Sequence, residues 1–256
     1  MDFSTIVGLV VGVGCILAGI FWGGNAPSGI WDAPTALLVL GGTLAATMVA
    51  YPFSVIKTIP RLVALAFRRQ TFELGHDVEQ LVALSDAARR GGLLALEGSV
   101  TGSDPFLHKG VMLIIDGSDP RMVRAVMETE LHALALRHQV GAEVLCTMGG
   151  LAPAFGLVGT LMGLVRLLGG LDRPADLGLA MASALMSTLY GCVLAYLLLL
   201  PMAKKLRHIS GMEYRRKELV LEGLLAIQDG ENPRLIRDKL NAFLARSQVK
   251  NPPAGG

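Results

Sequence analysis

The stretch Val144–Val165, VLCTMGGLAPAFGLVGTLMGLV, holds no Asp, Glu, Lys, Arg or His, and its reading decides the fold. A helix rises about 1.5 Å per residue, so about 20 apolar residues cross a hydrocarbon core of about 30 Å. This run is long enough. To either side, Phe3–Trp22, Ala33–Ile56 and Leu177–Ala203 are equally free of charge. Helices buried in a soluble core usually keep a polar stripe, which these runs lack. The expected class is an all-α membrane protein with four transmembrane helices and a helical cytoplasmic domain.

Charge placement sets the orientation. Of 23 basic and 21 acidic residues, only Asp2, Asp32, Arg166, Asp172, Arg173 and Asp176 lie within residues 1–53 and 144–202. Lys57, Arg61, Arg68 and Arg69 come first after the second run, and Lys204, Lys205 and Arg207 follow the fourth. Such basic flanks stay on the cytoplasmic side, so both charged blocks and both chain ends are expected there. The links Gly23–Asp32 and Arg166–Asp176 then face outward. The expected organisation is transmembrane helices 1 and 2 over residues 1–53, a cytoplasmic helical domain over 54–143, and transmembrane helices 3 and 4 over 144–203. Cytoplasmic C-terminal helices follow over 204–249, with a flexible tail at 250–256 that is too rich in Pro and Gly to fold alone.

Within the inner blocks the signals are helical. Asp77–Arg90 carries Val78, Leu81 and Val82 at helical spacing and stops at Gly91-Gly92, a C-terminal signature. Asp104-Pro105 and Asp119-Pro120 each set an N-cap residue before a proline at the first helical position. From Pro120 the pattern runs into the third span without another proline before Pro153, which predicts one long helix. After Pro201 a helix is expected over Met202–Asp229, ending at Gly230. Asn232-Pro233 opens a last one carrying Leu235, Ile236, Leu240, Phe243 and Leu244. No strands are expected.

Several function classes drop out. A net charge of +2 with mixed signs gives no basic face for nucleic acid. Cys15, Cys146 and Cys192 fall within the spans, so no disulfide framework is implied. The Met-Asp-Phe start has no basic n-region, so the first run reads as a retained span and not a signal peptide. No G-x-S-x-G, H-E-x-x-H, Walker or Rossmann pattern occurs, and His132 and His138 do not share a helical face as a zinc pair would. No enzyme, metal site or cofactor is expected. A solute carrier would show two repeated halves, which the spans lack.

The spans hold no ionisable side chain that could serve as a proton relay or ion site. They hold neutral polar groups instead. Thr160 shares a face with Pro153, Gly156 and Gly163, while Ser187 and Thr188 lie one turn after Ala184 and one turn before Gly191. Small residues let transmembrane helices approach closely, and hydroxyls bond to backbone, which by itself explains such a pattern. Two hydroxyl-bearing faces side by side also make a surface past which a cation can be handed on, provided a partner supplies the carboxylate. Pro153 and Pro201, near the inner ends of the third and fourth spans, mark hinges or static kinks.

Four stretches carry a resemblance: Ser85–Glu97 (SDAARRGGLLALE), Ala152–Leu164 (APAFGLVGTLMGL), Ala184–Gly191 (ALMSTLYG) and Gly223–Ile236 (GLLAIQDGENPRLI). Through them the whole chain resembles the MotA/PomA family, the larger stator subunit of the bacterial flagellar motor, in its compact PomA-like branch. The resemblance implies a homopentamer in the bacterial inner membrane around two copies of a single-span MotB/PomB-type partner, whose carboxylate binds the ion. Ion flow drives the ring, and its cytoplasmic rim pushes on the rotor protein FliG.

Position by position, the resemblance makes Arg89, Arg90 and Glu97 rotor contacts, Pro153 and Pro201 the prolines that transmit conformational change, and Asp32 an acid at the outer edge of the second span. It places Thr160 and Thr188 on the ion path, together with Ser187, where the PomA pattern has threonine. Thr160 favours sodium over proton as the transported cation, because proton-driven members more often carry alanine there. The nearest alternative is the ExbB/TolQ type of energy transducer, whose chains have three spans. A non-conducting membrane scaffold is the other.

Overall fold

The computed structural model describes residues 3–22, 32–68, 72–100, 104–170, 172 and 174–244. Among these every regular element is helical, with no strand. The order is α1 (Phe3–Trp22), α2 (Ala33–Ala50), α3 (Phe53–Ile56), α4 (Ile59–Phe67), α5 (Leu74–Gly91), α6 (Leu96–Ser99), α7 (Pro105–Ile115), α8 (Pro120–Gly169), α9 (Pro174–Cys192), α10 (Leu200–Gln228) and α11 (Pro233–Asn241). A 3₁₀ turn at Leu93–Ala95 precedes α6, and a π-helical segment at Val193–Leu199 joins α9 to α10. The expected tail and nearly all of the link Gly23–Asp32 lie outside the described residues, as do residues 171 and 173 of the link Arg166–Asp176, which is shorter than expected because α8 runs to Gly169 and α9 starts at Pro174.

The chain forms two compact units, one from residues 1–69 and 138–208, the other from 70–137 and 209–256. Three helices are long and apolar enough to cross a membrane: Ala33–Ala50, Pro120–Gly169 and the run Ala180–Gln228. Phe3–Gly19 within α1 is a shorter apolar helix. Only 17–28% of each most apolar window is buried within the chain, so these flanks need lipid or other subunits as their solvent.

The second apolar run, expected as one helix over Ala33–Ile56, breaks after Ala50. Tyr51 is extended at φ −132°, ψ 145°, and Pro52 caps α3. A proline clashes with the helical conformation of the residue before it, which accounts for the break. The long helix from Pro120 is continuous for 50 residues, with Pro153 inside it.

The α8–α9 contact is made by backbone. A Cβ on Gly191 would lie 2.6 Å from the Ala152 carbonyl oxygen, and one on Gly156 2.9 Å from the Ser187 carbonyl oxygen. One on Gly163 would meet the Ala184 Cβ at 2.5 Å. Small residues three and four apart thus bring the two helices together without intervening side chains.

The second unit is built on caps that the sequence announces. Asp104 Oδ1 accepts from Phe106 N at 2.9 Å, Asp119 Oδ1 from Arg121 N at 2.8 Å, and Asn232 Oδ1 from Arg234 N at 3.0 Å. At the C-terminal ends of α7 and α10 the chain turns through Gly117 (φ 75°) and Gly230 (φ 70°). Paired bonds such as Ser118 N to Leu113 O and Gly117 N to Ile114 O, both 3.1 Å, close the ends. The core joins Leu81, Phe106, Ile114, Met127, Leu131, Leu219, Leu224, Ile236 and Leu240. α11 stops at Asn241, short of expectation, so Phe243 and Leu244 follow it in a turn while still packing on this core, and Leu235 faces out at 62% exposure.

Of the ion pairs in that unit, one has a buried carboxylate. Asp77 is 5% exposed and receives two bonds from Arg216, Nε to Oδ2 at 2.7 Å and an Nη to Oδ1 at 2.9 Å; a third reaches Asp104 at 3.3 Å. The bond to Asp77 holds the Arg216 guanidinium above its ordinary range, against the opposing effect of burial. Breaking a buried pair costs more than replacing it, because the remaining charge is stranded.

Asp77→Ala is therefore expected to cost about 3 kcal/mol, and Asp77→Leu with Arg216→Met to recover most of that, read as thermal unfolding of the solubilised protein. In α9, Gly191→Ala should cost about 1–3 kcal/mol by forcing the helices apart. Gly178→Ala, with nothing within 4 Å of the added carbon, should not.

Candidate functional site

Because Gly156 and Gly191 permit backbone contact, hydroxyls from both helices converge beside it. Thr160 Oγ1 lies 3.1 Å from the Gly156 carbonyl oxygen, 3.1 Å from that of Ala184 and 3.2 Å from Ser187 Oγ, and it is hydrogen-bonded to Thr188 Oγ1. Ser187 Oγ has its choice of the Gly156 carbonyl at 2.7 Å and the Ala184 carbonyl at 2.8 Å. Three hydroxyl oxygens and two carbonyl oxygens thus form one neutral cluster. Each hydroxyl has a single proton to donate, so the two carbonyls and the other hydroxyls offer more acceptor positions than there are donors.

The structure brings all three expected hydroxyls together but gives them different settings. Ser187 is completely buried between the helices, whereas Thr160 and Thr188 are half-buried at the edge of the contact. The threonines are therefore reachable without entering the interface. Among the described residues no group of three His, Cys, Asp or Glu could hold a metal ion. Oxygen atoms here are neutral, and any formal negative charge has to come from outside the cluster.

Pro153 stands one turn from the cluster, and a Cβ on Gly191 would lie 3.1 Å from its Cα. Pro201 follows the π-helical segment, whose closing bond runs from Leu200 N to Ala195 O, one residue longer than an α-helical bond. Proline at 201 has no N–H to offer the carbonyl four residues back, and a widened turn just before it absorbs the mismatch. Periodicity did not reveal this segment, and the proline at the end of an unbroken apolar run is its only signal.

At the other end of α2, Asp32 does more than start a helix. Its carboxylate accepts from Thr35 Oγ1 at 2.5 Å and from Ser183 Oγ. Thr35 and Ser183 are themselves 3.2 Å apart, and Asp32 N donates to the Tyr190 hydroxyl at 3.1 Å. Thr35, Ser183 and Tyr190 escape sequence reasoning, because each reads as an ordinary polar residue in a span. A cleft of about 240 Å³ between α2, α8 and α9 is lined by Thr35, Leu38, Gly159, Gly163, Arg166 and Ser183, reaching the turn that carries Thr160. Below it, Thr43 and Thr47 are buried and bond back to the carbonyls of Val39 and Thr43 at 2.6 and 2.7 Å.

In the other unit, Arg89 and Arg90 end α5 and Glu97 lies on α6, either side of Gly92 at φ 77°. All three are exposed, and none has an ion-pair partner among the described residues. The helix tip presents both signs of charge.

Residues 99–219 match the MotA/TolQ/ExbB proton channel family, and residues 6–91 match the Motility protein A N-terminal family. Motility protein A of Borreliella burgdorferi is 38% identical over the full length of both chains. Chemotaxis protein PomA of Vibrio alginolyticus is 35% identical, covering 95% of this chain and 96% of its own. The flagellar MotAB stator complex of Bacillus subtilis contains a chain that superposes with a TM-score of 0.90 at 30% identity, covering 96% of this chain and 97% of that one. Matching throughout its length in both sequence and fold, the chain belongs to the Motility protein A family of flagellar stator subunits, a family of membrane ion-channel proteins and not of enzymes.

Proposed function

We propose that this chain is the ring-forming subunit of a flagellar stator that couples cation flow, sodium in preference to proton, to torque on the rotor protein FliG. α1 serves as the first of four membrane spans, with both chain ends in the cytoplasm of the inner membrane. Five copies surround two single-span partners of the MotB/PomB type. The observation that carries the reading is the Thr160–Ser187–Thr188 cluster, which assembles five neutral oxygens and no carboxylate. Neutral oxygens replace part of a cation's hydration shell, but a cation at membrane depth still needs a counter-charge. A partner's carboxylate meets that need, and the half-buried positions of Thr160 and Thr188 leave them accessible to it.

Asp32 and the cleft beside it form the outer approach to the cluster, and Pro153 and Pro201 carry motion away from it. The scale fits small steps: one elementary charge crossing 100 mV releases about 2.3 kcal/mol, which biases a two-state packing by roughly fiftyfold. Arg89, Arg90 and Glu97 meet the rotor. Exposed, unpaired charges of both signs suit transient steered contact better than tight binding. An ExbB/TolQ-like transducer shares the channel chemistry, but the full-length likeness to motility proteins favours the flagellar reading.

Thr160→Ala and Thr188→Ala, in cells making the partner, are expected to cut swimming speed severalfold and to flatten its dependence on sodium while leaving protein in the membrane. Speed that follows sodium as before in both variants overturns the ion-path role. Arg90→Glu should impair torque and be partly rescued by charge reversal on the rotor, measured as tethered-cell rotation. Indifference to both changes removes the rotor contact.

A further inference from the structure

The segment that follows α2 has two faces of different chemistry. Leu62, Val63, Leu65, Ala66 and Phe67 of α4 pack onto Ala142, Leu145 and Met148 of α8 and onto Ala203 and Leu206 of α10. The contact is close, since a Cβ on Gly141 would meet Leu62 at 2.8 Å. Away from that face Arg61 of α4 is exposed, flanked by the exposed Lys57 in the turn before α4 and the exposed Arg68 just past its end. On α10, Lys204 and Arg207 are exposed beside the buried Ala203 and Leu206.

None of these five cations has an ion-pair partner among the described residues. Across positions 51–68, 138–148 and 202–208 the one acid is Glu143, on α8. Lys57 Nζ stands 4.9 Å from the ring centre of Phe53, itself 57% exposed. An exposed aromatic ring under an exposed cation, immediately after an apolar helix, is the arrangement of a headgroup-level anchor.

We propose that the basic faces of α3–α4 and of the first turns of α10 form a rim that binds the headgroups of anionic phospholipids in preference to zwitterionic ones. The proposal rests on reading the apolar helices as membrane spans and goes beyond it, since spanning alone requires no lipid preference. The apolar face is already occupied by α8 and α10, so α4 has only its cationic side to offer. Phosphodiester headgroups at the membrane surface have the matching charge and lie at the level where α2 ends. A Lys or Arg near such a surface favours an anionic lipid by about fivefold, and the effect decays within a Debye length.

The test uses the full chain purified with its partner and reconstituted in phosphatidylcholine bilayers carrying spin-labelled phosphatidylglycerol or phosphatidylcholine. The fraction of motionally restricted label is read in each case. Phosphatidylglycerol should be favoured about fivefold or more at low salt, with the preference shrinking as sodium chloride rises. Lys57→Gln/Arg61→Gln/Arg68→Gln/Lys204→Gln/Arg207→Gln should bring it below about twofold with the phosphatidylcholine signal unchanged, and Arg61→Gln or Arg68→Gln alone should each give a partial loss. A preference that survives the fivefold variant overturns the proposal. So does displacement of the lipid by inorganic phosphate beyond that by chloride of equal ionic strength, which marks a soluble-anion site. Loss of the assembled complex on size exclusion, with lipid preference intact, makes the stripe a contact between subunits. Failure of the wild-type protein to enter bilayers at all overturns the membrane reading itself, a result separable from the other three.

Discussion

Everything specific in the apolar unit depends on the approach of α8 to α9 through Gly156, Gly163, Ala184 and Gly191. Between lipid-facing helices there is no hydrophobic drive to associate, so contact has to come from close packing and hydrogen bonds. Removing side chains from the seam supplies the first and creates the second. Once the backbones touch, the carbonyls of Gly156 and Ala184 lie within reach of hydroxyls on the other helix. A single larger residue in the seam would separate these oxygens, and the cluster would not exist. Packing and the proposed ion chemistry therefore draw on the same few positions.

That coupling explains why the three hydroxyls are not equivalent. Ser187, completely buried, bonds across the seam to the Gly156 carbonyl and acts within the helix contact. Thr160 touches both helices yet remains half-exposed, so its bonds to Ala184, Ser187 and Thr188 can be exchanged for those of a passing ligand. Interhelical hydrogen bonds of this kind are worth about 0.6 kcal/mol each, small enough to be remade at each step of the proposed ion passage. The π-helical segment and Pro201 continue the same run of backbone. A helix with one loosened turn shifts register more readily than a uniform one, and this turn lies between the hydroxyl cluster and the start of α10.

Most of the fold was legible in residue order because each boundary is marked by local chemistry. Asp104-Pro105, Asp119-Pro120 and Asn232-Pro233 open helices where they stand, and Gly92, Gly117 and Gly230 adopt the positive φ that ends them. What stayed hidden depends on contacts across the chain. Asp32 reads as a helix-start acid, yet its carboxylate is turned to Thr35 and to Ser183, 151 residues away. Arg216 and Asp77 each look like surface charges until the helices that carry them meet. The cluster itself was half legible: spacing put Thr160 on the glycine face, but which hydroxyl is buried follows from the helix crossing and not from the sequence. The break at Tyr51-Pro52 was present in the residues and masked by the apolar character of Phe53–Ile56.

The absence of charge at membrane depth also sets what the proposed partner has to provide. A buried carboxylate of this chain's own would need a permanent counter-ion in the empty state, since an unpaired charge in hydrocarbon is costly. A neutral cluster has no such requirement: its hydroxyls bond to one another and to helix carbonyls. If the carboxylate instead resides on a neighbouring helix, the charged and neutral halves of the site come apart whenever that helix moves. Ion occupancy is then tied to the relative position of the two proteins, which is the condition for converting ion flow into motion.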